Sequence, residues 1–240
     1  VTYGAGGSRS KRTVELASFI QNSLHIPAVA HMTCVGSSKE DILAVTDDMK
    51  QAGLSHVLAL RGDRPTWMDD AQFENRAFAH ASDLTRFLKE HTDLEVAGAC
   101  YPEKHFEAAN PQSDLQYLKE KVDAGADYIV TQMFFDNSKY FDFVERCRKA
   151  GITVPIIPGI KPISTPKHLE ILPRTFSVSL PEELVKAVRA CGEDTQAARE
   201  VGIEWAIHQA KELKAAGVPI IHFYTMGRTD NIRKIARNVF

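Results

Sequence analysis

Arg61-Gly62-Asp63 directly follows the apolar run Val57–Leu60. A glycine at that point lets the backbone approach a ligand closely. A guanidinium and a carboxylate beside a buried run are costly unless they serve a ligand or each other; a strand-end turn with a surface ion pair is the alternative. Other runs end in similar residues. Ile129-Val130 leads into Thr131-Gln132-Met133-Phe134-Phe135-Asp136, where Gln132 offers a donor and an acceptor to the edge of a heterocycle. Phe134 and Phe135 either wall an aromatic ligand or seal a helix layer. Val96–Cys100 leads into Tyr101-Pro102-Glu103-Lys104-His105. Tyr101 either packs flat on a ring system or plugs a rim, and His105 is a candidate for phosphate or ribose. His31 lies inside Ala28–Cys34, where holding a backbone carbonyl competes with a ligand role. Val1–Tyr3 carries Thr2 and Tyr3, and Ile220–Tyr224 leads to Thr225 and Arg228. Threonine, tyrosine, arginine, aspartate, glutamine and histidine around aromatics suit the binding of flat heterocycles. There is no GxxxxGK[ST], HExxH or GxSxG motif and no cluster of metal ligands, so hydrolysis by a serine or zinc mechanism finds no support.

Helical stretches separate these runs and must position their ends. Val14, Leu16, Phe19, Ile20 and Leu24 recur at helical spacing within Ser8–Leu24. Ser37-Ser38-Lys39-Glu40 resembles a capping box ahead of the next helix. Asp63–Phe73 reads as a loop, followed by helices over Asn75–His91, Asp114–Ala124 and Lys139–Ala150. Then Thr165–Leu172, Glu182–Cys191 and Thr195–Ala216 read as three successive helices, and Thr229–Val239 closes the chain. Seven strands alternating with helices over one continuous stretch imply a parallel sheet with right-handed crossovers. In such sheets ligands bind at the carboxyl ends of the strands, where the residues named above fall. A doubly wound open sheet competes, but Gly6-Gly7 does not complete GxGxxG. The expected class is therefore α/β, a (βα)8 TIM-type barrel with seven of its eight strands in one domain spanning residues 1–240. A start inside a strand and without methionine leads us to expect that the first strand–helix unit is missing.

With 240 residues, 44% hydrophobic and 25% charged, the chain can bury a core. A net charge of −2 gives no reason to expect nucleic acid or an anionic membrane as partner. No apolar run approaches the roughly 18 residues of a membrane span, and Val-Thr-Tyr-Gly does not open a signal peptide. The four cysteines are far apart and form no CxxC pair. Neither a disulfide framework nor a zinc site is expected, and buried free thiols in a reducing cytoplasm are the simpler assignment.

Taken together, these residues resemble the catalytic domain of methylenetetrahydrofolate reductases. The matching segments are Val1–Ala5, His31–Cys34, Leu60–Asp63, Ala81–Leu84, Tyr101–Glu103, Lys121–Ala126, Thr131-Gln132 with Phe134–Asp136, Pro158–Ile160, and His222–Thr225 with Arg228. They run in family order along the whole chain. The resemblance implies a (βα)8 barrel carrying FAD that reduces 5,10-methylenetetrahydrofolate to 5-methyltetrahydrofolate. NADH or NADPH would donate electrons in a ping-pong cycle, in a cytoplasmic homo-oligomer. It maps Thr2, Tyr3, Ala5, His31, Arg61, Gly62, Asp63, His80, Ala81, Tyr101, His105, Ala108, Asp114 and Lys121 to the flavin site. It maps Gln132, His168 and Arg228 to the folate. Asp63 is the catalytic candidate, because a carboxylate near the cationic iminium of the opened substrate stabilises it.

The chain departs from the family at several positions. His80 stands where tyrosine is common, Tyr117 and Glu120 where an amide and an arginine are, and His168 where glutamine is usual. The family's general acid, a glutamate in a Phe-Glu-Phe-type motif on the first strand, has no counterpart here, since this sequence begins at the second strand. Two other readings stay open: a truncated or inactive flavin/folate binder, and a lyase or aldolase using Lys161 or Lys121 as a Schiff-base amine.

Overall fold

A computed structural model describes Val1, residues 8–227 and residues 229–240, with side chains in the first helix from Arg12 onward. In chain order the elements are α1 (Ser8–Ser18), a π-helical turn (Phe19–Ser23), β1 (Val29–Thr33), α2 (Lys39–Gln51), β2 (His56–Leu60), α3 (Asp70–Glu74), α4 (Ala81–His91) and β3 (Glu95–Cys100). They continue with α5 (Pro111–Asp123), β4 (Tyr128–Met133), α6 (Asn137–Lys149), β5 (Ile156–Ile160), α7 (His168–Phe176), α8 (Glu182–Ala190), α9 (Thr195–Ala215), β6 (His222–Phe223) and α10 (Thr229–Val239). The strands hydrogen-bond in sequence order, β1 through β6. Val29 pairs with His56, His56 with Glu95 and Gly159 with His222, each in a parallel ladder. An order that never reverses is that of a barrel-type sheet; a doubly wound sheet turns back at a switch point.

Six strands stand among the described residues where the sequence leads us to expect seven. The remaining one, Val1–Tyr3, is represented by Val1 alone. Its nitrogen donates to Val29 O at 2.6 Å and its carbonyl accepts His31 N–H at 2.8 Å. Those two bonds straddle Ala30, as a parallel neighbour of β1 requires. Thr2 and Tyr3 lie outside the described residues. β6 is shorter than the expected Ile220–Tyr224, because Ile220 is 57% exposed, although Tyr224 N–H still reaches Ile160 O at 2.9 Å.

The helices also differ in their bounds. The stretch read as a loop contains α3, started by Asp69, whose carboxylate accepts Gln72 N–H at 2.7 Å while Gln72 Oε1 accepts Asp69 N–H at 3.1 Å. α4 then begins at Ala81, not near Asn75. Arg76 donates to Phe73 O and Ala79 O and holds the break, and Asp83 accepts His80 N–H at 2.8 Å to start the new helix. Ser38 and Asp41 form the capping box of α2. The end of the first helix widens into the π-turn, and Gln21 and Asn22 donate to Gly53 O at 2.5 Å and Ala52 O at 2.9 Å, the free carbonyls beyond α2.

The chain divides into two compact units: Val1–Ala99 with Tyr117–Ile129, and Cys100–Gln116 with Val130–Phe240. In the first unit, β1 and β2 alternate strictly in burial. Ala30, Met32, Val57 and Ala59 pack with Val14, Ile42, Leu84 and Leu88, while His31, Thr33, Leu58 and Leu60 lie on the less covered face. Each fully buried large side chain there contributes roughly 1.5–3 kcal/mol. Trp67 in this unit is 63% exposed, its ring edge beside Gly36. In the second unit Met133, Phe135, Ile163, Leu172, Leu184 and Val188 form the core, with Trp205 packed at its margin. Trp205 Nε1 donates to Phe135 O at 2.9 Å.

Candidate active site

In the first unit His31 sits on the less covered face of β1, half-buried. Cys34 N–H bonds to Leu60 O at 3.1 Å and Val35 N–H to Arg61 O at 2.8 Å, so the two strand ends stay paired beyond β1 and β2. Gly62 has φ +84°, and a Cβ there would lie 2.8 Å from Val35 Cγ1 and 3.0 Å from Thr33 Cβ. The glycine is thus required by the packing of the two strand ends as well as by its backbone conformation. Arg61 Nε donates to Gly62 O at 3.2 Å, and Asp63 stands exposed beyond the turn. His80 precedes α4 and is exposed, with its ring 6.4 Å from that of Tyr117 and 17° from parallel. Ala81 opens the helix, half-buried. Lys121 donates to Ala99 O at 2.5 Å, and its Cδ lies 2.6 Å from where a Cβ on Gly98 would be. Gly98 thereby makes room for the lysine stem, and the amine is engaged on the strand.

In the second unit the loop after β3 is organised by Asp114, whose carboxylate accepts His105 N–H at 3.0 Å. The His105 ring meets Tyr101 edge-on at 4.5 Å, and its Nδ1 accepts Glu107 N–H at 3.1 Å. Lys104, at φ +115°, donates to Ala108 O at 2.6 Å, and Ala108 is buried. Gln132 Oε1 accepts Met133 N–H at 2.9 Å, which commits the oxygen and fixes the amide nitrogen as the donor end. This side chain lines a narrow cleft with Tyr101, Glu103, Lys104, Phe176 and Val178. Glu103 closes one side of it by accepting Ser179 N–H at 3.1 Å.

Phe134 and Phe135 are 0% and 1% exposed. Phe134 stacks on Tyr140 at 5.5 Å, and Gln209 Nε2 donates to Phe134 O at 3.3 Å. They seal the helix layer and do not wall a ligand. His168 begins α7 and its Nδ1 accepts Ser164 N–H at 3.1 Å. The sequence pattern did not reveal a lock behind Gln132. Thr131 Oγ1 accepts Gly159 N–H at 2.8 Å and Thr131 O accepts the Tyr224 hydroxyl at 2.8 Å. Gly159 has no side chain because a Cβ would lie 2.5 Å from Thr131 O and 2.6 Å from Tyr224 Cε2. Burial raises the Tyr224 phenol above its usual range, so it remains a donor. Lys161 follows β5, buried, and burial lowers its ammonium below the usual lysine value. Thr2, Tyr3, Ala5 and Arg228 lie outside the described residues. Among the described residues no group of three histidine, cysteine or acidic side chains could hold a metal ion.

The methylenetetrahydrofolate reductase family model matches residues 1–239. The chain belongs to the methylenetetrahydrofolate reductase family. It is 36% identical over 230 residues to the 5,10-methylenetetrahydrofolate reductases of Pectobacterium carotovorum and Escherichia coli, covering 96% of this chain and 75% and 76% of theirs. It is 38% identical over 239 residues to methylenetetrahydrofolate reductase (NADH) 1 of Arabidopsis thaliana, covering 94% of this chain and 40% of that protein. Among solved structures, a Clostridium thermocellum protein that binds two copies of 5-methyl-5,6,7,8-tetrahydrofolic acid superposes with a TM-score of 0.60 at 16% identity. That likeness covers 97% of this chain and 87% of that one, and it shows a shared fold of the barrel class. Among the described candidates of this family member, Arg61, Asp63 and Tyr101 follow strand ends, His31 and Gln132 lie within β1 and β4, and Asp114, Lys121 and His168 lie on helices.

Proposed function

We propose that the protein reduces 5,10-methylenetetrahydrofolate to 5-methyltetrahydrofolate, with FAD as bound carrier and NADH or NADPH as electron donor. The observation that carries this is the family match from residue 1 to 239, together with 36% identity to bacterial reductases over 96% of the chain. The donor set suits FAD: Arg61, Lys121 and His105 are the cationic or N–H groups a diphosphate and a ribityl chain take, and Tyr101 and His80 are flat rings. With Thr2, Tyr3, Ala5, His31, Gly62, Asp63, Ala81, Ala108 and Asp114 they make up the proposed flavin-holding set. Tyr117 and Glu120 replace the family's amide and arginine at the diphosphate. We place Gln132, His168 and Arg228 on the folate, and the molecule in the cytoplasm as a homo-oligomer. No helix among the described residues is long and apolar enough to cross a membrane.

The chemistry a bound FAD would supply is hydride transfer between the nicotinamide and the exocyclic methylene carbon of the folate. The residues supply position and charge. Gln132, its oxygen tied to Met133, turns its NH2 toward an acceptor on the pterin edge. Asp63 lowers the energy of the iminium cation formed as the folate ring opens. The Schiff-base alternative loses Lys121, whose amine is engaged by Ala99 O. It keeps Lys161, which borohydride trapping with a carbonyl substrate would reveal.

The decisive experiment is anaerobic. The purified protein should be yellow, bleach on addition of NADH or NADPH, and regain its colour with methylenetetrahydrofolate as 5-methyltetrahydrofolate forms. Bleaching without that product would reduce the protein to a flavin binder, and absence of flavin from protein refolded with FAD would end the proposal.

A further inference from the structure

Phe176, Ser177 and Val178 line the cleft beside Gln132, where α7 ends and the chain runs on to α8. The end of α7 is weakened from within, because Pro173 supplies no N–H to the helix ladder. The helix stops at Ser177, whose φ of +53° lies in the left-handed region that a serine enters at a cost. Val178 comes next and is buried in the cluster of Leu172, Leu184 and Val188. Ser179 is exposed again. Its N–H donates to both oxygens of the Glu103 carboxylate, each at 3.1 Å, and its hydroxyl donates to Glu103 Oε2 as well. Glu103 belongs to the loop after β3 and lines the same cleft. One carboxylate thus ties two lining segments of the cleft together. A turn residue, an apolar plug and a polar tether follow one another within three positions. An exposed tether of this kind opens at far lower cost than the core does.

We propose that residues 176–180 form a strap over this cleft, with Glu103 as its latch. Closed, the carboxylate holds Ser179 and keeps Val178 seated, so the cleft stays narrow. When the latch releases, the strap turns at Ser177 and the cleft opens to solvent. A molecule that enters or leaves there waits for the latch, which sets the rate of exchange and takes no part in chemistry. The strap does not depend on which ligand the cleft receives, so the proposed folate chemistry can fail without touching it.

The test places a reporter thiol in the cleft of the full chain. Gln132→Cys is treated with iodoacetamide, and labelling is followed peptide by peptide by mass spectrometry. Cys147, buried in the same unit, is the internal control. Glu103→Gln keeps the size of the latch and removes its charge; Ser179→Ala removes the hydroxyl. Each should speed labelling at position 132 at least about fivefold, the scale of one lost hydrogen bond, and leave Cys147 unchanged. Together they should give less than the product of their separate effects, because both remove the same contact. Labelling at position 132 that does not change, or effects that multiply in full, overturns the latch. An equal acceleration at Cys147 means that the whole unit loosens and overturns the strap. If Gln132→Cys does not fold, hydrogen exchange on the chain without the reporter decides. Amides of residues 176–180 should then exchange about tenfold faster in Glu103→Gln while those of α9 keep their rates. Equal rates at 176–180 with and without the Glu103 charge would end the proposal.

Discussion

Asp63 owes its place to residues that do no chemistry. Gly62 is pressed between Thr33 and Val35 in a left-handed conformation, so the carboxylate that follows is set by two paired strand ends. Asp63→Asn keeps the shape and removes the charge. The folate half-reaction should slow about ten- to a hundredfold, or roughly 1.4–2.7 kcal/mol of barrier. Reduction of the flavin by the nicotinamide builds its positive charge on the pyridinium ring, not on the folate that Asp63 is proposed to serve, and should slow far less. Stopped-flow measurement of each half-reaction separates the two, and equal slowing would show that Asp63 only holds the site together. Lys161 makes a different prediction. Its buried ammonium titrates below the usual 10.5. Below the lowered folded value the amine is charged both folded and unfolded, and the burial cost is present in full. As pH rises toward 10.5 the folded amine loses its proton first, and stability rises. Lys161→Met should therefore be more stable at pH 7 by about 1–2 kcal/mol, with the gap narrowing in denaturant melts made at increasing pH. A gap that stays constant would mean the ammonium is solvated after all.

At the scale of the elements, α9 lies tight against the loop after β5. A Cβ on Gly202 would sit 2.0 Å from Ile163 O and 2.8 Å from Ile163 Cα, both backbone atoms that cannot turn aside. Alanine gains about 1 kcal/mol of helix propensity over glycine, but the helix or the loop must move. Gly202→Ala should destabilise by about 1–3 kcal/mol net, read from denaturant melts. A more stable Gly202→Ala protein would show that helix and loop are not in contact. Much at this scale was legible. The order of strands and helices follows from apolar runs and periodicity; the capping box ahead of α2, expected over Ser37–Glu40, forms one residue on, between Ser38 and Asp41. What was not legible has physical causes. Asp69 and Gln72 start a helix of five residues, too short for any apolar period to reveal. Burial alone decides whether Phe134 and Phe135 face a ligand or a helix, and a one-dimensional pattern does not say which. Glu103 was legible just beyond a strand end, but Ser179, which it holds, is distant in sequence. The Gln132 side chain could be singled out from its place after a buried run; the tether that orients it is a contact to its own neighbour's backbone.

For the molecule as a whole, the thiols test how firmly each unit is closed. Burial pushes the Cys34 thiol up to about 12 and the Cys147 thiol up to about 11. Cys100 is also buried, and only Cys191 is half-exposed. In the folded protein at pH 8, a thiol reagent should react quickly with one equivalent, at Cys191, and with all four only in denaturant. Fast reaction at Cys34 would show that the first unit opens readily. The two tryptophans divide in another way. Trp67 belongs to the first unit and stands in water; Trp205 belongs to the second, its indole N–H bonded to Phe135 O. Each unit therefore contains its own fluorophore, and the two differ in colour and in access to a quencher. With Trp67→Phe or Trp205→Phe the remaining emission belongs to one unit only, and the loss of order in each can be followed by its own light.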